Sequence, residues 1–276
     1  MKKYIFLYLI VIFITLLSGC SGKQFNPDNI DYDNISDVNP EKNKEFVIDP
    51  DAYDYYLDEE HIDFENNDVL LKCQASSLNI RSGPHTDYTV LGELKKDQML
   101  PYEGKYDQDW YITNYKGKSA FVSTNYMRLI DFPKAINDIE SVIDKAKDLL
   151  GQKYNPDAKN YLKDKNTLNQ DFSKENFNSA TLAQYVFYEG GDKYLESTVE
   201  KQIHQGKSVS RADTQRGDLI FFTDSSKFYN LGFDRVSHVA IYLGDNVIIH
   251  AYEDNVKIET MDNQMWINYI TSRRII

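Results

Sequence analysis

Cysteine is scarce. The chain of 276 residues carries two, Cys20 and Cys73, too few for a disulfide framework, so packed cores must hold its folded parts together. Long apolar runs are scarce as well. Tyr4 to Leu17 is free of charge but covers about fourteen residues, short of the roughly 20 that a membrane-spanning helix needs. No basic patch or recognition motif for nucleic acid is present, which excludes that class of partner. No spacing of metal ligands and no cofactor motif stands out, so neither a metal nor a cofactor is expected.

What is there begins with Lys2 and Lys3, followed by the short apolar run and then Leu17-Ser18-Gly19-Cys20. A positive start, a short apolar core and small residues before a cysteine form the pattern of a cleaved export signal. The four-residue box resembles the lipobox of bacterial lipoproteins. That resemblance implies removal of residues 1–19, a lipid on Cys20, and a place on the extracytoplasmic face of a cell membrane. Ser21 does not point to inner-membrane retention. With the Cys20 thiol committed to lipid, Cys73 has no partner, and a buried structural thiol is expected there.

The net charge of −12 is unevenly spread. Residues 26 to 68 hold fifteen Asp or Glu against two Lys, and the rest is close to neutral. Asn, Asp and Pro are scattered through this stretch without a sustained period. Residues 20–68 are therefore expected to form an acidic tether that repels itself and extends, lifting the folded part away from an anionic membrane.

From residue 69 to 130 the pattern is of short strands: Val69 to Gln74, Ser77 to Pro84, Tyr88 to Leu94, Gln98 to Tyr102, Trp110 to Tyr115 and Ser119 to Ser123, with a turn at Lys116-Gly117-Lys118. Such spacing predicts a small barrel. Leu78-Asn79-Ile80-Arg81-Ser82-Gly83-Pro84, Leu91-Gly92-Glu93-Leu94, Trp110-Tyr111 and Gly117 to Val122 together resemble a bacterial SH3 domain. The resemblance implies a module that binds cell-wall peptides or braces a neighbouring hydrolase. Asp131 to Ile136, with Pro133, reads as a linker.

Residues 139–276 predict an α+β domain. Ile139, Val142, Ile143, Ala146, Leu149 and Leu150 recur at helical spacing up to Gly151. Residues 155 to 176 are polar and irregular. Asn178 to Tyr188 predicts a second helix. Asp218 to Phe222 is a strand, and Val236 to Leu243 and Val247 to Ala251 are strands joined at Gly244-Asp245-Asn246. His238 starts one of these strands and His250 ends the next. An antiparallel pair can bring the two imidazoles together, one taking a proton while the other fixes its tautomer.

Arg216-Gly217-Asp218-Leu219-Ile220-Phe221-Phe222, Ser237-His238-Val239-Ala240-Ile241-Tyr242-Leu243-Gly244 and Ile249-His250-Ala251 resemble the NlpC/P60 family in order and spacing. The resemblance implies a papain-like fold that acts on cell-wall peptides, commonly beside D-glutamate. It makes His238 the base, His250 its orienting partner, and Tyr154 the family's tyrosine. The family's nucleophile is a cysteine at a helix start. Matching Leu182, Gln184, Tyr185 and Val186 to that helix sets Phe177-Asn178-Ser179-Ala180-Thr181 over the motif, with Ser179 at the cysteine position. A cysteine there ionises readily, because its pKa drops well below ~8.5; a serine hydroxyl needs its proton taken during attack. Three readings follow: a degenerate hydrolase that binds peptidoglycan stem peptides without cutting, a serine hydrolase built on Ser179 and His238, or a scaffold for a protein partner in the envelope.

Overall fold

The computed structural model describes Glu59, residues 62–135 and residues 138–276. The expected export signal, Cys20 and most of the expected tether lie outside the described residues. Within the compact unit of residues 56–276, chain order begins with eight strands: β1 (Asn67–Cys73), β2 (Ser77–Arg81), β3 (Val90–Lys95), β4 (Gln98–Pro101), β5 (Gly104–Lys105), β6 (Trp110–Tyr115), β7 (Lys118–Ser123) and β8 (Met127–Pro133). They divide between two sheets. One runs β3-β2-β7-β6-β5; β4, β1 and β8 belong to the other. The small barrel expected from strand spacing is thus two sheets over one core. That core includes Leu70, Met99 and Leu129 from one sheet and Ile80, Ala120 and Val122 from the other.

Two boundaries differ from the sequence expectation. Ile62 is already buried, and Asp68, expected in the solvated tether, lies inside β1. Its charge is tolerated because Lys147 and Arg216 meet it. Residues 131–133, expected in a linker, continue β8, with Pro133 opposite Asn67. A proline can close a strand because its missing N–H falls at the end of the ladder.

The second half of the unit starts with helix α1 (Ile139–Lys147), then β9 (Lys153–Tyr154), β10 (Leu162–Asp164), β11 (Thr167–Leu168) and β12 (Asn176–Phe177). The stretch 155–176, expected to be irregular, contains the β10–β11 hairpin. Helices α2 (Ser179–Gly191) and α3 (Val199–Gln202) follow, then β13 (Lys207–Val209), β14 (Leu219–Phe222), β15 (His238–Gly244), β16 (Val247–Tyr252), β17 (Asn255–Thr260), helix α4 (Asn263–Asn268) and β18 (Tyr269–Arg274). Asp245 and Asn246 both take positive φ, 44° and 64°, as a two-residue turn between twisted antiparallel strands requires. Gly190 lets α2 approach α1: a Cβ there would stand 2.6 Å from the Ser141 carbonyl oxygen.

The strand order is β13-β18-β14-β15-β16-β17-β4-β1-β8. One sheet therefore crosses from the second half into the first, where Ile258 pairs with Met99 and Glu259 with Gln98. Alternation decides what each face of β14–β16 buries. Leu219, Phe221, Val239, Ile241 and Ile249 join the main core with α1 and α2. Ile220, Phe222, Ala240 and Ile248 pack with Met261 and the α4 residues Met265 and Trp266 on the other side. His238 and His250 follow the parity of this second set.

Candidate functional site

The start of α2 is fixed by its cap. Asn178 Oδ1 accepts from the Thr181 N–H at 2.9 Å, and Thr181 Oγ1 accepts from the Asn178 N–H at 2.9 Å, a reciprocal capping box. Asn178 Nδ2 also donates to the carbonyls of Pro156 and Ala158. Asn178, the residue before Ser179, thus locks the helix mouth to the preceding loop. Ser179 is the first helical residue and only 7% exposed. Because a helix leaves its first N–H groups without intrahelical partners, those of Ser179 and Ala180 remain as donors at the wall of a cleft.

That cleft has a volume of about 770 Å³, and Tyr154, Ser179, His238 and His250 all line it. All four residues expected at the site are therefore gathered in one place. Among the described residues, Ser179 and His238 share no hydrogen bond. Burial, and then the neighbouring Tyr252, raises the pKa of the Tyr154 hydroxyl and keeps it a neutral donor.

The imidazoles meet as expected: His238 Nε2 lies 2.9 Å from His250 Nδ1. Burial, followed by the nearby His250 and Lys257, pushes the pKa of His238 well below its ordinary value, so the ring is neutral at neutral pH. Sequence reasoning missed three neighbours. Glu259 Oε1 lies 2.9 Å from His250 Nε2. Lys257 stands 3.4 Å from the other oxygen of Glu259. The Tyr252 ring stacks on His250 at 5.6 Å. Their signal was the register of β16 on β17, which sets Lys257 opposite His250. The turn that fixes it, Glu253-Asp254, lacks the Asn-Gly or Asp-Gly chemistry by which hairpins are read. Cys73 is fully buried, its thiol donates to the Ala75 carbonyl at 3.4 Å, and burial raises its pKa.

Residues 167–275 match the model of the NlpC/P60 family and residues 76–128 that of the bacterial SH3 domain. A probable endopeptidase NlpC homolog of Haemophilus influenzae is 27% identical over 106 residues, 38% of this chain and 52% of that protein. The gamma-DL-glutamyl hydrolase of Bacillus subtilis is 28% identical over 166 residues, 59% of this chain and 35% of that protein. The chain thus spans about half the length of the first and a third of the second. Among solved structures, an NlpC/P60 family protein from Bacillus cereus matches at 22% identity with a TM-score of 0.40, over 79% of this chain and 66% of that one. Residues 167–275 are thus similar to the NlpC/P60 family, C-terminal to a stretch similar to the bacterial SH3 domain.

Proposed function

We propose that the cleft of the NlpC/P60 domain engages peptidoglycan stem peptides, with hydrolysis lost or much reduced. The observation that carries this reading is an open cleft of about 770 Å³ lined by both His238 and His250, with a hydroxyl at Ser179 where a thiol would serve. The helix mouth suits a thiolate, whose charge the helix N-terminus would stabilise. It does little for a hydroxyl. Its proton must pass to His238 during attack, and a ring whose pKa is held well down is a weak base for that transfer. Binding asks less. The unpaired N–H groups of Ser179 and Ala180, the Tyr154 hydroxyl and a neutral His238 supply donors and an acceptor along the wall.

One observation favours a second reading, hydrolysis by Ser179: the His238–His250 contact is kept at 2.9 Å. The test is to incubate the protein with purified peptidoglycan, sediment it, and chromatograph the supernatant. The first reading expects the protein in the pellet and no released peptide, with release gained in Ser179→Cys. Release by the parent that disappears in Ser179→Ala overturns it for the second. Protein left in the supernatant removes peptide engagement altogether and points to the scaffold.

The anchor belongs to the same proposal. The box ending at Cys20 supports a lipid that holds the protein on the outer face of a membrane, with the acidic stretch as its tether. Labelled palmitate should enter the protein in cells and be lost in Cys20→Ala. Equal labelling of both would sink the anchor.

A further inference from the structure

Next to the two imidazoles stands a carboxylate, Glu259, that neither the motifs nor the proposed function assigns. The four groups form one chain of contacts along the cleft, which all of them line: His238 on β15, His250 on β16, then Glu259 and Lys257 on β17. His250 is 1% exposed, with both ring nitrogens at 2.9 Å from a partner, His238 on one side and Glu259 on the other.

We infer that Glu259 is a positioning residue: acting through His250, it holds the proton of His238 on Nε2 and leaves the Nδ1 lone pair for the cleft. The available donors decide the tautomer. An ionised carboxylate only accepts, so His250 Nε2 must donate to it. His250 is taken as a neutral imidazole with one N–H, so its Nδ1 is then an acceptor. The 2.9 Å contact therefore needs its proton from His238 Nε2. His238 has no second N–H, and Nδ1 is left with its lone pair. The alternative, a doubly protonated His250, would donate from both nitrogens and force the opposite tautomer on His238.

The surroundings hold Glu259 to this task. Burial raises its pKa, but the hydrogen bond from His250 and the charge of Lys257 outweigh burial and keep it below the usual carboxylate range. Lys257 occupies its Oε2 at 3.4 Å, which leaves Oε1 for His250. Lys257 is itself held by Glu253 at 3.2 Å and lies over the Tyr252 ring, and that ring stacks on His250. From outside, strand β4 of the SH3 region pairs Gln98 with Glu259. The first domain thus supplies a strand to the support of the second domain's site.

The inference rests on the cleft assigned above, yet its test uses no ligand, so the two readings fail separately. In protein labelled with ¹⁵N at histidine, at pH 7.5, long-range correlations report each tautomer, and the scalar coupling across the N–H···N bond reports which ring carries the shared proton. The expected result is a proton on His238 Nε2 coupled to His250 Nδ1. In Glu259→Leu, His238 should pass from essentially one tautomer to a mixture, with the backbone amide spectrum as the control for folding. A shared proton on His250, or tautomers unchanged in Glu259→Leu, overturns the inference. Should that variant not fold, the coupling in the parent still decides.

Discussion

A thiol and a hydroxyl at the same helix mouth differ in when they give up a proton, and position 179 turns on that difference. In Ser179→Cys the new thiol would sit first in α2, at the helix N-terminus in the cleft that His238 also lines, where its pKa should fall well below ~8.5. Alkylation by iodoacetamide should therefore exceed that of the parent and stay fast near pH 6. An ordinary alkaline profile would mean that the helix start and His238 do not act on this position. His238 gives a second expectation. Its folded pKa lies well below 6.5, so between that pKa and about 6.5 the unfolded chain binds a proton that the native one refuses. Stability should fall as pH drops below about 6.5. Urea midpoints at pH 7.5 and 5.5 should differ less in His238→Gln; an equal drop in both would assign the loss elsewhere. Much at this scale was legible: Ser179, His238, His250 and Tyr154 lie in residue patterns that a reader can find. Glu259 and Lys257 do not, because a charged residue in a weakly alternating strand gives no sign of what stands across from it.

Elements carry the site by their ends and edges. Asn178→Ala removes the capping box and should cost about 1 kcal/mol, seen as a lower denaturation midpoint. No loss would mean that the cap bonds are replaced by water at no cost. Gly190→Ala pushes a methyl against the α1 backbone, 2.6 Å from the Ser141 carbonyl oxygen. It should destabilise by about 1–3 kcal/mol, the usual cost of overpacking. The period of the apolar residues made α1, α2 and the β15–β16 hairpin readable. The end of β8 was not, since Asp131 and Pro133 look like a linker until β1 lies beside them. The pairing of β4 with β17 was hidden for the same reason, as strand neighbours distant in sequence leave no local pattern.

At the scale of the molecule, buried charges join the two halves of the unit. Arg216 meets Asp68 at 2.6 Å, Glu140 at 2.7 Å and the Leu243 carbonyl at 2.9 Å. Burial works against the Asp68 carboxyl, but Lys147 and Arg216 hold its pKa down. Arg216→Met would leave Asp68 with Lys147 alone and Glu140 without its guanidinium. A loss of about 3–5 kcal/mol is expected for a broken buried pair, against little change for the exposed Lys95→Met at its ion pair with Asp254. Equal, small losses in thermal denaturation would mean that the network contributes nothing. Composition alone made the acidic stretch visible, but not that Asp68 at its end turns inward. Among the described residues, no helix is long and apolar enough to cross a membrane. The central claim concerns the cleft, and titration by NMR tests it most directly. Soluble muropeptides, released from peptidoglycan by a muramidase, are added to ¹⁵N-labelled protein. The account expects saturable shifts at Ser179, His238 and the residues around them, with the muropeptides still intact after prolonged incubation. Shifts confined to other surfaces, or steady cleavage of the peptides, would contradict it.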